Sequence, residues 1–380
     1  MKTRRSIVWG AIYAMVASTV SGPALAQTAP TVESLQASAK FYAGTDWMGT
    51  YTRLCVPTIS AANRVLPTYN PANYPSGDLP TPPGGTPPRE NWYSPPAQIG
   101  DNLYFLGTRN HSSFALVARN GDIIVLDGNF EYATEDEIHR GLRFLGLDPQ
   151  KVRYSIYSHA HGDHDGGAHL TEAAFPNATI VYGEGDWPSV LARTVPHATR
   201  FGPQNDGTDG RVIRVGDVSV QIVTMPGHTP GTLSFLFEFR DRGQPIRVAY
   251  VGGTAISFTN PMPAFYDQYI QSAQKFAQRA AAFGATALMS NHTEFDNAYF
   301  RANTAAMIRV LREDDQGGQN NRRGNRQGNP RNDANVPDVP NRLLRDVPNP
   351  YEVGQREVLN YFAVVELCAK SAKLRATGVL

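Results

Sequence analysis

The segment SHAHGDHDGG, which begins at Ser158, constrains the fold of this chain more than any other feature of its sequence. It follows the apolar run VRYSIY and places four metal-ligand side chains within six residues: His159, His161, Asp163 and His164. The apolar run predicts a buried strand, and a loop that leaves a strand can direct several short side chains to one point. Imidazoles and carboxylates bind zinc well. The segment therefore predicts a metal site at the end of a strand.

Two distant histidines have a similar sequence context. His228 lies in TMPGHTPGTLSF, a Pro/Gly turn between two predicted strands, and His292 lies in LMSNHTEF, just past a strand. The six consecutive residues 159–164 cannot easily surround a metal by themselves. Catalytic zinc sites often take ligands from distant loops and leave one position for water. We therefore predict that both histidines contribute to the same site.

Strands and helices alternate along the rest of the sequence, which predicts an α/β protein with a mixed sheet covered by helices. The predicted strands include NLYFLG, SFALVAR, DIIVLD, and residues 152–158, 179–182, 218–225, 232–239, 246–251 and 285–290. The predicted helices cover 32–42, 184–193, 267–283, 297–313 and 354–376, with one more ending near Gly146. Thr134 with Glu137 three residues later predicts a capping box at the start of that helix.

Composition divides the chain into five parts. Basic residues, an apolar stretch and Ala24-Leu25-Ala26 predict an export signal over 1–26, with a membrane anchor as the alternative. A Pro/Gly-rich N-terminal arm over 27–100 precedes the main domain over 101–314. A flexible low-complexity insertion, expected as a solvated loop, follows over 315–349, and a C-terminal helix over 350–380 packs on the domain.

Charge and cysteine content narrow the partners and the compartment. The 380 residues carry 35 Lys+Arg and 34 Asp+Glu, a formal net charge of +1, which argues against nucleic acid as a partner. After signal cleavage no stable membrane association is expected, so the protein is predicted to be periplasmic or secreted. An oxidising compartment allows Cys55 and Cys368 to form a disulfide, with two buried free thiols as the alternative.

The H-x-H-x-D-H segment, the PGHTPG turn and the late strand-end histidine resemble the metallo-β-lactamase superfamily from about Asn102 to Arg312 and again in the C-terminal helix. The resemblance implies a four-layer αββα sandwich with two zinc ions at one edge of its sheets. The first ion would be held by His159, His161 and His228, and the second by Asp163, His164 and His292. Asp163 is also assigned a catalytic role.

Gly253 in the segment YVGGTAI distinguishes branches of that superfamily. Glyoxalase-like hydrolases, lactonases and RNA-processing nucleases usually carry a bridging Asp here, two β-lactamase branches use Cys, and the third commonly has Ser. The resemblance is closest to the third, non-cysteine subclass of class B β-lactamases. A role for the missing hydroxyl would pass to Thr254 or to water, and Gly253→Asp is expected to leave metal binding intact.

The resemblance thus implies an exported dizinc hydrolase acting on a small molecule. The favoured reaction is opening of a β-lactam amide by a metal-bound hydroxide, which would confer antibiotic resistance. The alternative is another carbonyl or ester substrate, as in a lactonase, esterase or thioesterase-like enzyme. His111 and Ser112 are candidates for substrate contact, and Phe258, Phe265 and Tyr266 either line a pocket or simply pack.

Overall fold

The computed structural model describes residues 29–56, 86–322 and 347–380, with side chains described only to residue 312 in the second range. The predicted export signal, the PSGDLPTPPGGTPP run of the arm up to residue 85 and most of the predicted insertion lie outside the described residues. Residues from Thr31 to Leu380 belong to one compact unit.

Seven strands form the first sheet, and they lie side by side in their order along the chain. They are β1 (Ala97–Gln98), β2 (Leu103–Phe105), β3 (Phe114–Val117), β4 (Ile123–Leu126), β5 (Val152–Ile156), β6 (Thr179–Gly183) and β7 (Asp206–Gly207). Strands β1 to β4 pair antiparallel, whereas β4 to β7 pair parallel. The parallel strands are separated by helices, as crossover connections require.

Five strands form the second sheet, in the order β12-β11-β10-β9-β8. They are β8 (Val212–Val215), β9 (Val218–Thr224), β10 (Leu233–Asp241), β11 (Gln244–Val251) and β12 (Ala287–Ser290). Only β11 and β12 pair parallel. Arg242 and Gly243, both with positive φ, form the two-residue turn between β10 and β11, a conformation that suits the twist of a tight hairpin.

Helices pack on the outer faces of both sheets and at the edge of the core between them. They are α1 (Val32–Ala43), α2 (Met48–Cys55), α3 (Arg89–Trp92), α4 (Glu131–Thr134), α5 (Arg140–Phe144), α6 (Gly162–Asp165), α7 (Ala168–Ala174), α8 (Trp187–Leu191), α9 (Pro263–Phe283), α10 (Thr293–Asp296), α11 (Ala298–Arg322) and α12 (Gln355–Thr377). A π-helical turn, Glu135–His139, joins α4 to α5. No helix in the described ranges combines the length and apolar character that a membrane crossing requires.

The main core lies between the two sheets. Buried side chains from the first sheet, such as Phe114 and Ile156, belong to the same apolar cluster as Phe235 and Val248 from the second. A second apolar cluster joins the outer face of the second sheet to α1, α2, α9 and α12, and two smaller clusters lie under the helices on the first sheet. The predicted four-layer αββα arrangement is therefore confirmed.

The predicted disulfide is present. Cys55 at the end of α2 is bonded to Cys368 in α12, with the two Cα atoms 4.7 Å apart. Both cysteines are buried, so the bond lies inside the helical layer rather than on its surface.

Local expectations differ from the structure in several places. Thr134 is not the cap of this helix, because the helix begins at Glu131 and the Thr134 hydroxyl donates back to the carbonyl of Phe130, the residue before the helix. The helix predicted over 297–313 continues to Arg322, into the predicted insertion. Strands β1, β7 and β8 were not predicted from the sequence, and β1 and β7 contain only two residues each.

Candidate metal centre

Loops at one edge of the two sheets carry all six predicted ligands. His159, His161, Asp163 and His164 follow β5, and the last two lie in the short helix α6. His228 follows β9 and His292 follows β12. The structure therefore brings together, at strand ends, side chains that are more than 100 residues apart in the sequence.

Three histidines form the first cluster, which comprises His159, His161 and His228. The Nε2 atom of His228 lies 3.1 Å from Nε2 of His159 and 3.0 Å from Nδ1 of His161. Tetrahedral zinc with nitrogen ligands at about 2.0–2.1 Å places its ligand atoms about 3.3 Å apart, so this spacing suits one shared ion.

Hydrogen bonds to backbone carbonyls show how two imidazoles of the first cluster are oriented. Nδ1 of His159 lies 2.8 Å from the Gly252 carbonyl oxygen, and Nδ1 of His228 lies 2.9 Å from that of Ala255. A carbonyl oxygen only accepts, so each Nδ1 carries the proton and, in a neutral ring, each Nε2 presents a lone pair. Two lone pairs 3.1 Å apart repel, whereas a cation between them removes the repulsion. The residues present fit a zinc ion.

Asp163 is the centre of a second cluster. Its Oδ2 atom lies 3.3 Å from Nε2 of His164 and 3.4 Å from Nε2 of His292, and these two nitrogens are 3.0 Å apart. Oδ1 of Asp163 is buried and has no hydrogen-bond partner among the described residues. A buried carboxylate with an unpaired oxygen beside two imidazoles is a donor set that suits a second cation.

Protonation differs sharply between the histidines. Burial lowers the pKa of His159 well below its ordinary value and the pKa of His161 to about 4. Burial also opposes protonation of His164, but Asp163 and Asp127 outweigh it and raise the pKa of His164 to about 10. Burial would raise the pKa of Asp163, yet His164 holds it well below its ordinary value. Cation binding at the second cluster would therefore displace the proton of His164.

Asp127 orients His164 from behind. It directly follows β4 in an uncommon positive-φ conformation, and its Oδ2 lies 3.3 Å from Nδ1 of His164 and accepts a hydrogen bond from Tyr250. Its Oδ1 accepts from the backbone N–H groups of Gly128 and Ser158. A carboxylate behind a ligand imidazole fixes the ring and raises its basicity.

Asp186 ties together the two loops of the first cluster. Its buried carboxylate accepts hydrogen bonds from the backbone N–H of Ala160, the hydroxyl of Thr229 and the backbone N–H of Gly231. The first contact lies between His159 and His161, and the other two follow His228 within three residues. Asp186 therefore sets the distance between the loops that carry the three imidazoles.

Sequence reasoning missed these two carboxylates. The sequence position of Asp127 could have indicated a place near the site, since it ends the apolar run DIIVLD. Nothing in the sequence around Asp186, in the segment EGD, indicated its contacts. His111 was considered for substrate contact, and the structure places its Nε2 atom 3.4 Å from Oδ2 of Asp163. Ser112 is fully buried.

Gly253 lies against the first cluster. A Cβ atom at this position would stand 2.7 Å from Cγ2 of Thr232 and 3.0 Å from Cβ of His228. The expectation that Gly253→Asp leaves metal binding intact stays a prediction, and the packing argues against it, because any side chain here presses on His228. Thr254 does not replace the missing hydroxyl either, since its own hydroxyl lies 2.8 Å from that of Tyr361.

The three aromatic residues considered as pocket walls belong to the helical layer. Tyr266 is fully buried in the cluster that joins α9 and α12 to the second sheet, and the half-buried Phe258 and Phe265 pack against that cluster. The packing alternative therefore accounts for all three.

Comparison with known proteins finds one family model that matches part of the chain. Residues 106–242 match the model described as "Metallo-beta-lactamase superfamily". Among curated proteins, a 101-residue match to "Glyoxylase B2" of Dictyostelium discoideum is 30% identical and covers 24% of this chain and 33% of that protein. A 135-residue match to an "N-acyl homoserine lactonase" of Bacillus sp is 29% identical and covers 34% and 50%. The chain thus spans a third to a half of the length of these relatives.

A solved structure with a similar fold is a mutant of the FEZ-1 metallo-beta-lactamase from Legionella gormanii. It superposes with a TM-score of 0.52 at 15% sequence identity, over 74% of this chain and 96% of that chain. At this identity the likeness concerns the fold alone.

Proposed function

Residues 106–242 match the metallo-beta-lactamase superfamily model, and we propose that the chain is a hydrolase that holds two zinc ions and opens the amide bond of β-lactams. The observation that carries the proposal is the donor set, in which three imidazoles converge in one cluster and Asp163 joins two more in the next. Gly253 supports an amide rather than an ester substrate, because the ester branches of the superfamily usually have Asp there.

His159, His161 and His228 would hold one ion, and Asp163, His164 and His292 the other. Zinc supplies a water of lowered pKa and a Lewis acid for the scissile carbonyl. The protein positions these groups through Asp127 and Asp186. Oδ1 of Asp163, which is buried without a partner among the described residues, is the atom we assign to receive a proton from the attacking water.

Hydrolysis of lactones or other esters is the second candidate, and the lactonase among the curated relatives favours it. The two candidates differ in substrate and share the metal site. A panel of chromogenic penicillins, cephalosporins, carbapenems and lactones, assayed with zinc and with a chelator, separates them. We expect zinc-dependent opening of at least one β-lactam class. Turnover confined to lactones would leave only the dizinc hydrolase assignment.

Export is part of the proposal. The basic and apolar pattern of residues 1–26 supports it, and so does the disulfide, because oxidising compartments preserve such bonds. We propose a periplasmic or secreted enzyme that acts on small molecules, binds no nucleic acid and has no stable membrane association. Cell fractionation with mass spectrometry of the mature N-terminus should find Gln27 first. Full-length protein in the cytoplasm would contradict it.

Substitution of the ligands tests the site itself. His228→Ala and Asp163→Ala should each lower turnover by roughly two orders of magnitude or more, because each removes a donor from a different cluster. Bound zinc should fall from two ions per chain. His197→Ala, which alters a half-buried histidine outside both clusters, is the matched control and should change neither quantity. Full activity in either ligand variant would contradict the assignment.

A further inference from the structure

We propose that His111 is a fourth protein ligand of the second metal ion, in addition to Asp163, His164 and His292. The proposal rests on the two-metal part of the proposed function but not on the identity of the substrate. It assigns a ligand to a residue that lies outside the H-x-H-x-D-H segment and nearly 50 positions before it in the sequence.

Oδ2 of Asp163 has three imidazole nitrogens around it at nearly equal distances. Nε2 of His164 lies 3.3 Å away, and Nε2 of His292 and Nε2 of His111 each lie 3.4 Å away. These distances match the spacing of about 3.3 Å between neighbouring ligand atoms of a tetrahedral zinc ion. By its distance from Asp163, His111 is indistinguishable from the two histidines already assigned to this site.

The backbone holds His111 beside the loop of His292. The two residues form an isolated antiparallel bridge, in which Ser112 N–H donates to the Asn291 carbonyl at 2.8 Å. Thr293 N–H donates to the Asn110 carbonyl at 3.0 Å. Because bonds on both sides of the pair fix the register, the approach of His111 to the cluster follows from main-chain pairing and not from one side-chain rotamer.

The surroundings of His111 are those of a ligand imidazole. Its Nδ1 atom lies 3.3 Å from the hydroxyl oxygen of Thr108, and that oxygen is held by the backbone N–H groups of residues 110 and 111. The Phe130 ring packs edge-on at 5.1 Å, and the side chain is only 14% exposed. The contact of Nδ1 with Thr108 orients the ring so that the opposite nitrogen, Nε2, faces Oδ2 of Asp163.

The fourth ligand changes the character of the second site. Zinc with four protein ligands is the closed arrangement typical of structural sites, whereas three protein ligands leave a position for water. The first cluster has three histidines and Gly253 adds no side chain to it. In this chain the open position would therefore belong to the first ion, and the second ion would be bound the more tightly for having His111.

Zinc affinity measured by chelator competition tests the proposal without reference to activity. Wild-type protein should bind two ions, and His111→Ala should bind the second at least about tenfold more weakly while the first affinity is unchanged. His111→Gln can still donate a hydrogen bond to Asp163 but is a poor zinc ligand, so it should behave like the Ala variant. His197→Gln is the control and should match the wild type. Circular dichroism verifies that each variant is folded.

Other outcomes overturn the proposal. A second-site affinity in His111→Ala equal to that of the wild type, or rescue by His111→Gln, would reduce His111 to a neighbour or a hydrogen-bond donor. Zinc X-ray absorption should also count one fewer imidazole per two ions in His111→Ala, and an unchanged count would refute ligation. If the wild type binds fewer than two ions, the dizinc assignment fails as well. If the wild type opens no β-lactam in the substrate panel described above, the assignment of His111 as a ligand is unaffected.

Discussion

Gly253 determines how closely the loop after β11 approaches the first cluster. Its neighbours Gly252 and Ala255 offer the carbonyls that orient His159 and His228, so this loop must pass within hydrogen-bond distance of both imidazoles. The methyl group of Thr232 closes the remaining space, 2.7 Å from where a Cβ atom would stand. Glycine at this position is therefore explained by packing, independently of any role in bridging metals.

Gly253→Ala tests this explanation. The added methyl group should displace His228, weaken zinc binding at the first site by tenfold or more, and cost about 1–3 kcal/mol of stability through overpacking. Titration calorimetry and thermal unfolding measure the two effects. Thr232→Ser keeps the hydroxyl that accepts from Thr229 N–H but removes the obstructing methyl group, so it should partly restore both quantities in the double variant. Unchanged zinc affinity in Gly253→Ala would contradict the explanation.

The residues of the site differ in how far the sequence reveals them. His159 to His164 are contiguous and follow an apolar run, so their convergence is a local property. His228 and His292 could be predicted as ligands because both follow strands, although the sequence does not give the distance between them in space. The contacts of Asp186 and His111 could not be predicted. Those of Asp186 form only where two loops meet, and those of His111 depend on a main-chain bridge between two loops. Such contacts exist only once the sheets have packed.

At the scale of elements, the connection between α4 and α5 is unusual. Five residues, Glu135–His139, adopt a π-helical turn, and Glu137 in its middle is fully buried. Its Oε1 accepts a hydrogen bond from Ser94 N–H, while Oε2 has no partner among the described residues. Burial raises the pKa of Glu137 to about 9, so the folded protein keeps this carboxyl protonated at neutral pH.

The raised pKa of Glu137 makes stability depend on pH. The unfolded chain releases this proton near the ordinary pKa of 4.5 and the folded chain near 9, so stability falls as pH rises between those values. The loss is at most about 1.4 kcal/mol per pH unit. Glu137→Gln keeps an acceptor for Ser94 without a titrating proton. Its melting temperature should therefore fall less than that of the wild type between about pH 6 and about pH 8.5.

Glu135→Gln provides the control for this measurement. Glu135 lies in the same π-helical turn but is half exposed, and it pairs with His139 at 2.7 Å. Its variant should keep the pH dependence of the wild type over the alkaline half of the range. Identical slopes for the wild type and Glu137→Gln would show that Glu137 does not titrate as described.

At the scale of the whole molecule, the Cys55–Cys368 bond joins residues 313 positions apart. It fastens the N-terminal helices to α12 on the outer face of the second sheet. Cys55→Ser/Cys368→Ser should lower the unfolding free energy by about 2–5 kcal/mol. The midpoint of urea unfolding measures the loss. A reductant should bring the wild type to the midpoint of the variant and leave the variant unchanged, and equal midpoints before reduction would contradict a stabilising role.

Tyr361 in α12 and Tyr269 in α9 both bond to Thr254, one to its hydroxyl and the other to its carbonyl. Thr254 lies in the loop whose carbonyls orient His159 and His228, and Tyr361 follows every proposed ligand in the chain. During synthesis the ligands are therefore made before the group that secures their supporting loop. We expect a nascent chain to acquire full zinc affinity only after α12 has left the ribosome and packed on the second sheet. Metal binding would then be one of the last steps of folding.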